Sequence, residues 1–282
     1  MNADCHMHMI LDGVDWKQAI QRHREKPDIP WIRQILAGYA RAGYTYLRDG
    51  GDRWGAGAAA REMAPEFGIC YRTPLAPLVK KGHYGSFIGR CYEDFREYTQ
   101  LVRQTRQQGG DFIKIMISGL MDFDEYGKLT QPGLPPEEIR ELIHIAHEEG
   151  FSVMAHANGG DTVAAAAAAG IDSVEHGAYL HEEALAAMAE NNVIWVPTLS
   201  TIGNLQGKGR FREEAVEKIL ASAMKNVAAF GALGGLLAPG SDAGAWAVPH
   251  GCRTEYHWLR EALGEKTEEI LKRGIAAVQA KF

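Results

Sequence analysis

Residues 4–8 read Asp4-Cys5-His6-Met7-His8, and this stretch near the start of the chain decides the fold. Alternate residues of a β-strand point to one face, so a His-x-His pair on a strand aims two imidazoles into one space, as a metal ion requires. Alone, the pair reads better as two half-buried strand histidines. Four further residues give it weight: Lys114 within Asp-Phe-Ile-Lys-Ile-Met-Ile-Ser-Gly (111–119), His156 within Val-Met-Ala-His-Ala-Asn-Gly (153–159), His176 within Ser-Val-Glu-His-Gly (173–177) and Asp242 within Ala-Pro-Gly-Ser-Asp-Ala-Gly (238–244). Each of the six ends, or nearly ends, a short apolar run followed by small or glycine-rich residues.

Outward from these runs, β-rich segments alternate with longer amphipathic ones. Strands are expected at 44–48, 70–79, 112–117, 152–155, 173–175, 193–196 and 236–238. A helix is expected over 135–149, with proline at its start, acidic residues in its first turn and Ile139, Leu142, Ile143 and Ala146 at helical spacing before Gly150. A second, 161–169, is built largely of alanine. With the opening segment there are eight strands, each followed by a helix or a long loop, which is the pattern of an α/β chain folded as a (β/α)8 TIM-type barrel. Such a barrel needs about 250 residues. The chain has 282 and no Pro/Ser-rich linker, so residues 1–282 read as a single barrel domain. Active sites of these barrels lie at the carboxyl ends of the strands, and all six candidates fall there.

The formal net charge of −6 leaves no electrostatic footprint for nucleic acid, and the small basic cluster at 208–212 reads as a solvated turn. No apolar run of roughly 18 residues and no basic-then-apolar leader is visible, so neither membrane nor secretion is expected and the expected location is cytoplasmic. Cys5, Cys70, Cys91 and Cys252 lack Cys-x-x-Cys spacing and read as free thiols, most of them buried. Strand alternation points Cys5 away from His6 and His8.

The six residues in this order, with Gly-Tyr-Thr-Tyr-Leu-Arg-Asp-Gly-Gly (43–51), Asp-Phe-Ile-Lys-Ile-Met (111–116), Ile-Asp-Ser-Val-Glu-His-Gly (171–177) and Val-Pro-Thr-Leu (196–199), resemble the amidohydrolase superfamily in its binuclear-metal form. The phrases are most similar to the branch of imidazolonepropionase-like hydrolases and prolidase-like zinc dipeptidases. Most members wrap terminal segments into a small β-sandwich beside the barrel. Here no residues are set aside for it, so the expectation is a compact member or one whose first strand is supported by another copy in a homo-oligomer.

The resemblance implies a metal-dependent amidohydrolase acting on a small-molecule substrate: a dipeptide, an N-acyl amino acid or a cyclic amide. Two divalent metal ions, zinc as the first choice, would be held by His6, His8 and Asp242 on one side and His156 and His176 on the other. Lys114, carboxylated on its side-chain nitrogen, would bridge them. A metal-bridged hydroxide would be the nucleophile and Asp242 its general base. Substrate-reading candidates lie in the loops above the barrel: His83, Tyr84, Ser118, Tyr126, Asn158 and His250. Arg48 and Asp49, after the second strand, are candidates for a structural pair that orients ligands from behind, and Trp195 and Trp246 for the pocket floor. The rival readings are a lactonase or phosphotriesterase-like esterase, a mononuclear deaminase, and a barrel that binds metal without turnover.

Overall fold

The computed structural model describes residues 2–282. Ten strands occur: β1 (Asn2–Met7), β2 (Tyr44–Asp49), β3 (Cys70–Arg72), β4 (Leu78–Lys80), β5 (Arg90–Tyr92), β6 (Ile113–Met116), β7 (Val153–Ala157), β8 (Ser173–His176), β9 (Ile194–Val196) and β10 (Leu236–Leu237). All pairings between them are parallel. One sheet runs β1-β2-β3 and the other β10-β9-β8-β7-β6-β4-β5. The two join into a (β/α)8 barrel.

At one seam the segment after β10 lies along β1. Cys5 N donates to Pro239 O at 2.8 Å, Asp242 N to His6 O at 2.7 Å and His8 N to Ala243 O at 2.8 Å. Asp242 is therefore fixed by backbone bonds to the strand that carries the two histidines. The other seam runs through the third barrel strand, expected as one run over 70–79. It is split instead: β3 pairs with β2, and β4 pairs with β6. Pro74 and Pro77 have no amide to donate and Leu75 has φ of +65°, so residues 73–77 cannot continue a ladder. The short strand β5, not foreseen from the sequence, adds to the outer edge of β4.

The helix at Pro136–Glu148 lies within a residue of expectation at each end, and its four predicted apolar positions are fully buried. The alanine helix, Gly160–Ala168, turns Val163, Ala166 and Ala167 into the same core. The final helix, Thr267–Lys281, and Phe282 close the barrel floor with Phe112, Met154 and Val196. Among the described residues no β-sandwich accompanies the barrel, and no helix is long and apolar enough to cross a membrane. All four cysteines are free. Cys5 is buried, but Cys70 and Cys91 are exposed, contrary to expectation, because their short strands turn these side chains outward.

Candidate functional site

All six residues singled out from the sequence line one cavity of about 840 Å³ at the carboxyl ends of the strands. On β1 and its extension, the Nε2 atoms of His6 and His8 lie 3.3 Å apart. Both approach Asp242 Oδ1, at 3.5 and 3.2 Å respectively. These three donor atoms lie within 4.8 Å of one another, a spacing that a single cation can span. The imidazoles of His156 and His176 have ring centroids 4.6 Å apart, and His176 lies 5.0 Å from His6, so the four rings form one cluster.

In three of the four rings a hydrogen bond decides which nitrogen is free. His6 Nδ1 is 2.7 Å from Glu175 Oε2, so it carries the proton and Nε2 keeps its lone pair toward His8 and Asp242. His176 Nδ1 donates to Thr198 Oγ1 at 2.7 Å, which leaves its Nε2 free. His156 is reversed: Nε2 donates to Gly119 O at 3.1 Å and the lone pair sits on Nδ1. His8 lies flat over Gly50, where an added Cβ would come within 2.7 Å of Nδ1. Glycine is therefore required beside this ring.

Lys114 is buried on β6, and its ammonium nitrogen has no hydrogen-bond partner. Loss of solvent pushes its pKa down to about 8, against a partial restoring pull from Glu175. Burial, then the Lys114 charge, lowers His156 to about 3. Burial also holds His6 and His176 well below the usual imidazole range, with charge from Lys114 and the neighbouring histidines added. All three imidazoles are thus neutral at pH 7, the form that can ligate. His176, Thr198 and Asp242 have φ of +69°, +50° and +56°, so three left-handed non-glycine residues cluster at this rim. Such conformations cost about 1–3 kcal/mol each and persist where surrounding contacts impose them.

Behind the rings stands a buried column. Phe282 lies 4.5 Å beneath the Arg48 guanidinium; Arg48 Nη2 reaches Glu175 Oε1 at 2.8 Å; Glu175 reaches His6. Arg48 also donates from Nε to Cys5 O at 2.7 Å, and Ser173 Oγ bonds to Glu175. Arg48 therefore acts through Glu175. Asp49 is not its partner: it accepts Met9 N and Thr73 Oγ1. Trp195 is no pocket floor either, being buried with Nε1 on His176 O at 3.0 Å, whereas Trp246 does line the cavity.

Of the substrate-reading candidates, Tyr84 and Asn158 line the cavity. Tyr84 stacks 4.9 Å from His156, and burial pushes its phenol up, so it stays protonated. Asn158 is engaged with Gly119 O and Ala178 N. The other four lie elsewhere. Ser118 Oγ is held by Gly119 O and Asn158 N, and exposed Tyr126 bonds to Ser222. His250 Nε2 is bound to Leu11 O, while His83 follows β4 outside the lining. Glu175 and Thr198 were not singled out as ligand supports. An acid inside the apolar run 171–175 and a hydroxyl closing the run 193–198 were the available signals. The 208–212 cluster is not wholly a solvated turn, since Arg210 and Phe211 line the cavity.

The ochratoxinase of Aspergillus niger is 29% identical over 231 residues, covering 71% of this chain and 47% of that protein. An uncharacterized Mycobacterium bovis protein is also 29% identical, over 185 residues, covering 64% of this chain and 49% of its own. The chain thus spans about half the length of the curated relatives it matches. Among solved structures, a Xaa-Pro dipeptidase with bound methionine superposes with a TM-score of 0.78 at 20% identity, over 99% of this chain and 75% of that one. The A. niger ochratoxinase structure gives 0.78 at 22%, over 99% and 70%. These likenesses establish the shared fold. The sequence from residue 42 to residue 251, all but the first strand with the two helices that follow it and the last helices of the barrel, matches the amidohydrolase family, and the chain belongs to that family.

Proposed function

We propose that this chain is a metal-dependent hydrolase of C–N amide bonds, working on a dipeptide, an N-acyl amino acid or a cyclic amide. The observation that carries the reading is Lys114, a buried amine without a partner, lining the same cavity as four imidazoles, three of which have their free lone pair set by a hydrogen bond. With a pKa of about 8, roughly one amine in ten is unprotonated at pH 7. That form adds to CO2 and releases a proton, giving a carbamate with one negative charge and two oxygens. The carbamate answers what the orphaned nitrogen lacks.

The donor set fits divalent cations: His6, His8 and Asp242 would hold one, His156 and His176 would serve a second, and a carboxylated Lys114 would add oxygen ligands. Imidazole-rich donors favour zinc. Such a pair, when bound, supplies a Lewis acid and makes water nucleophilic near neutral pH. The remaining work belongs to the protein. Asp242, held by His6 O through its amide, takes a proton from the attacking water and passes it to the leaving nitrogen as the C–N bond breaks. Tyr84, a protonated phenol in the cavity, donates to the substrate oxygen on which charge develops. Glu175 and Thr198 keep the tautomers of His6 and His176 fixed.

Elemental analysis tests the site: about two metals per chain, dropping to one or none in Lys114→Ala. A single metal untouched by that change points to a mononuclear centre and sinks the proposal. Asp242→Asn should lose hydrolysis of a dipeptide, N-acyl amino acid and cyclic amide panel. A lactone-only response would favour the esterase reading.

A further inference from the structure

The wall of the cavity carries more than the reaction needs. Trp16 meets Phe87 edge-on at 5.2 Å, Phe87 meets Tyr84 at 6.0 Å, and Tyr84 meets His156 at 4.9 Å. This file of rings leads from the rim, where Trp16 is 49% exposed, down to the histidine cluster. A second file, Phe123, Phe211 and Trp246, is joined by contacts of 5.1 and 6.3 Å. At its outer end the Arg210 guanidinium lies 4.5 Å from the Trp246 ring and 5.4 Å from Phe211.

Arg210 makes no ion pair among the described residues. The two carboxylates that line the cavity besides Asp242 are already engaged: Asp15 caps the helix Trp16–His23, and Asp122 accepts Asp124 N and lies 3.9 Å from Lys128. Lys17, 5.5 Å from the Trp16 ring, is likewise unpaired among the described residues. Exposed aromatic surface in a concave site is stabilised when another flat apolar group covers it, and a stacked guanidinium is preorganised for a carboxylate. A volume of about 840 Å³ is near the top of the usual range for small-ligand pockets, so a substrate limited to two small residues would leave these rings wet.

Resting on the amide-hydrolase reading, we infer that the substrate carries a flat aromatic group on one side of the scissile bond, gripped by these rings, with an anionic group at its outer end read by Arg210. The chemical class is an aryl-substituted amide bearing a distal carboxylate.

Suitable probes are the alaninamide of 2,6-naphthalenedicarboxylate and the acetamide of 6-amino-2-naphthoate, each beside its carboxamide analogue, with acetyl-alaninamide as the small control. Calorimetry on Asp242→Asn protein reads binding, and wild-type turnover reads kcat and KM. At least one naphthyl acid should bind about tenfold tighter than its carboxamide and tighter still than the control. Arg210→Met should erase the acid-over-carboxamide preference, the acid losing about tenfold more affinity than the carboxamide. Equal binding of all probes, or equal losses for acid and carboxamide in Arg210→Met, overturns the inference. Selective, Arg210-dependent binding without hydrolysis of any probe sinks the hydrolase reading alone, whereas hydrolysis of acetyl-alaninamide without preference sinks the substrate class alone.

Discussion

Arg48→Met removes the guanidinium paired with Glu175 and is the sharpest test of the buried column. Both partners are fully buried, and the guanidinium makes bonds of 2.7, 2.8 and 3.1 Å to Cys5 O, Glu175 Oε1 and Ser173 Oγ. Methionine fills much of the volume above Phe282 but leaves the Glu175 carboxylate without the guanidinium that is hydrogen-bonded to it. Breaking one side of a buried pair costs about 3–5 kcal/mol. At about 2–3 °C per kcal/mol for a chain of this length, the midpoint should fall by roughly 6–15 °C. Removing both charges in Arg48→Met with Glu175→Gln should recover at least half of that loss, because the amide carbonyl still accepts from His6 Nδ1 and its NH2 can face Ser173 Oγ. Thermal unfolding by circular dichroism at pH 7, with and without chelator, reads the three proteins. If Arg48→Met melts within about 1 °C of wild type, or the double variant is no more stable than the single one, the electrostatic account of the column is wrong.

Three further predictions address the rings and the pH response. Gly50→Ala drives a methyl into the His8 ring, so elemental analysis should show fewer metals per chain while the far-ultraviolet spectrum is retained; full occupancy would remove the steric argument. Thr198→Val keeps shape but deletes the acceptor for His176 Nδ1, and chelator competition should show affinity weakened by about 10–100-fold. Glu255, buried with Oε2 on Ser200 N and Oγ, is raised by burial to about 8. A raised folded pKa contributes stability that is full below the unfolded value near 4.5 and lost as pH climbs through 8. Glu255→Gln should therefore gain in melting temperature relative to wild type at pH 9 compared with pH 5, and a pH-independent difference would contradict this.

The sequence carried the six-residue cluster because barrel geometry converts order along the chain into position around a ring. His6, His8, Lys114, His156, His176 and Asp242 each close a short apolar run, and parallel strands bring every such end to one rim. The helix at Pro136–Glu148 was equally readable, since its apolar spacing is what packs it on the sheet. Other features depend on contacts between distant segments. The break at residues 73–77 follows from two prolines, but that β4 then pairs with β6 is set by the neighbouring strand and not by its own three residues. Cys91 reads as apolar, and only the position of β5 at the outer edge of β4 leaves it facing water.

Substrate-facing residues were the least legible, and the reason is physical. His250, Ser118 and Tyr126 follow strands just as the ligands do, yet their polar atoms are held by Leu11 O, Gly119 O and Ser222 Oγ. A loop side chain can satisfy itself locally or face the cavity, and composition does not choose between the two. Arg210 shows the opposite outcome: in a segment that reads as a polar turn, two aromatic faces hold its guanidinium at the mouth. Which loop side chains face the cavity therefore depends on how each loop distributes its hydrogen bonds, whereas the cluster of histidines, Lys114 and Asp242 depends on the strand ends.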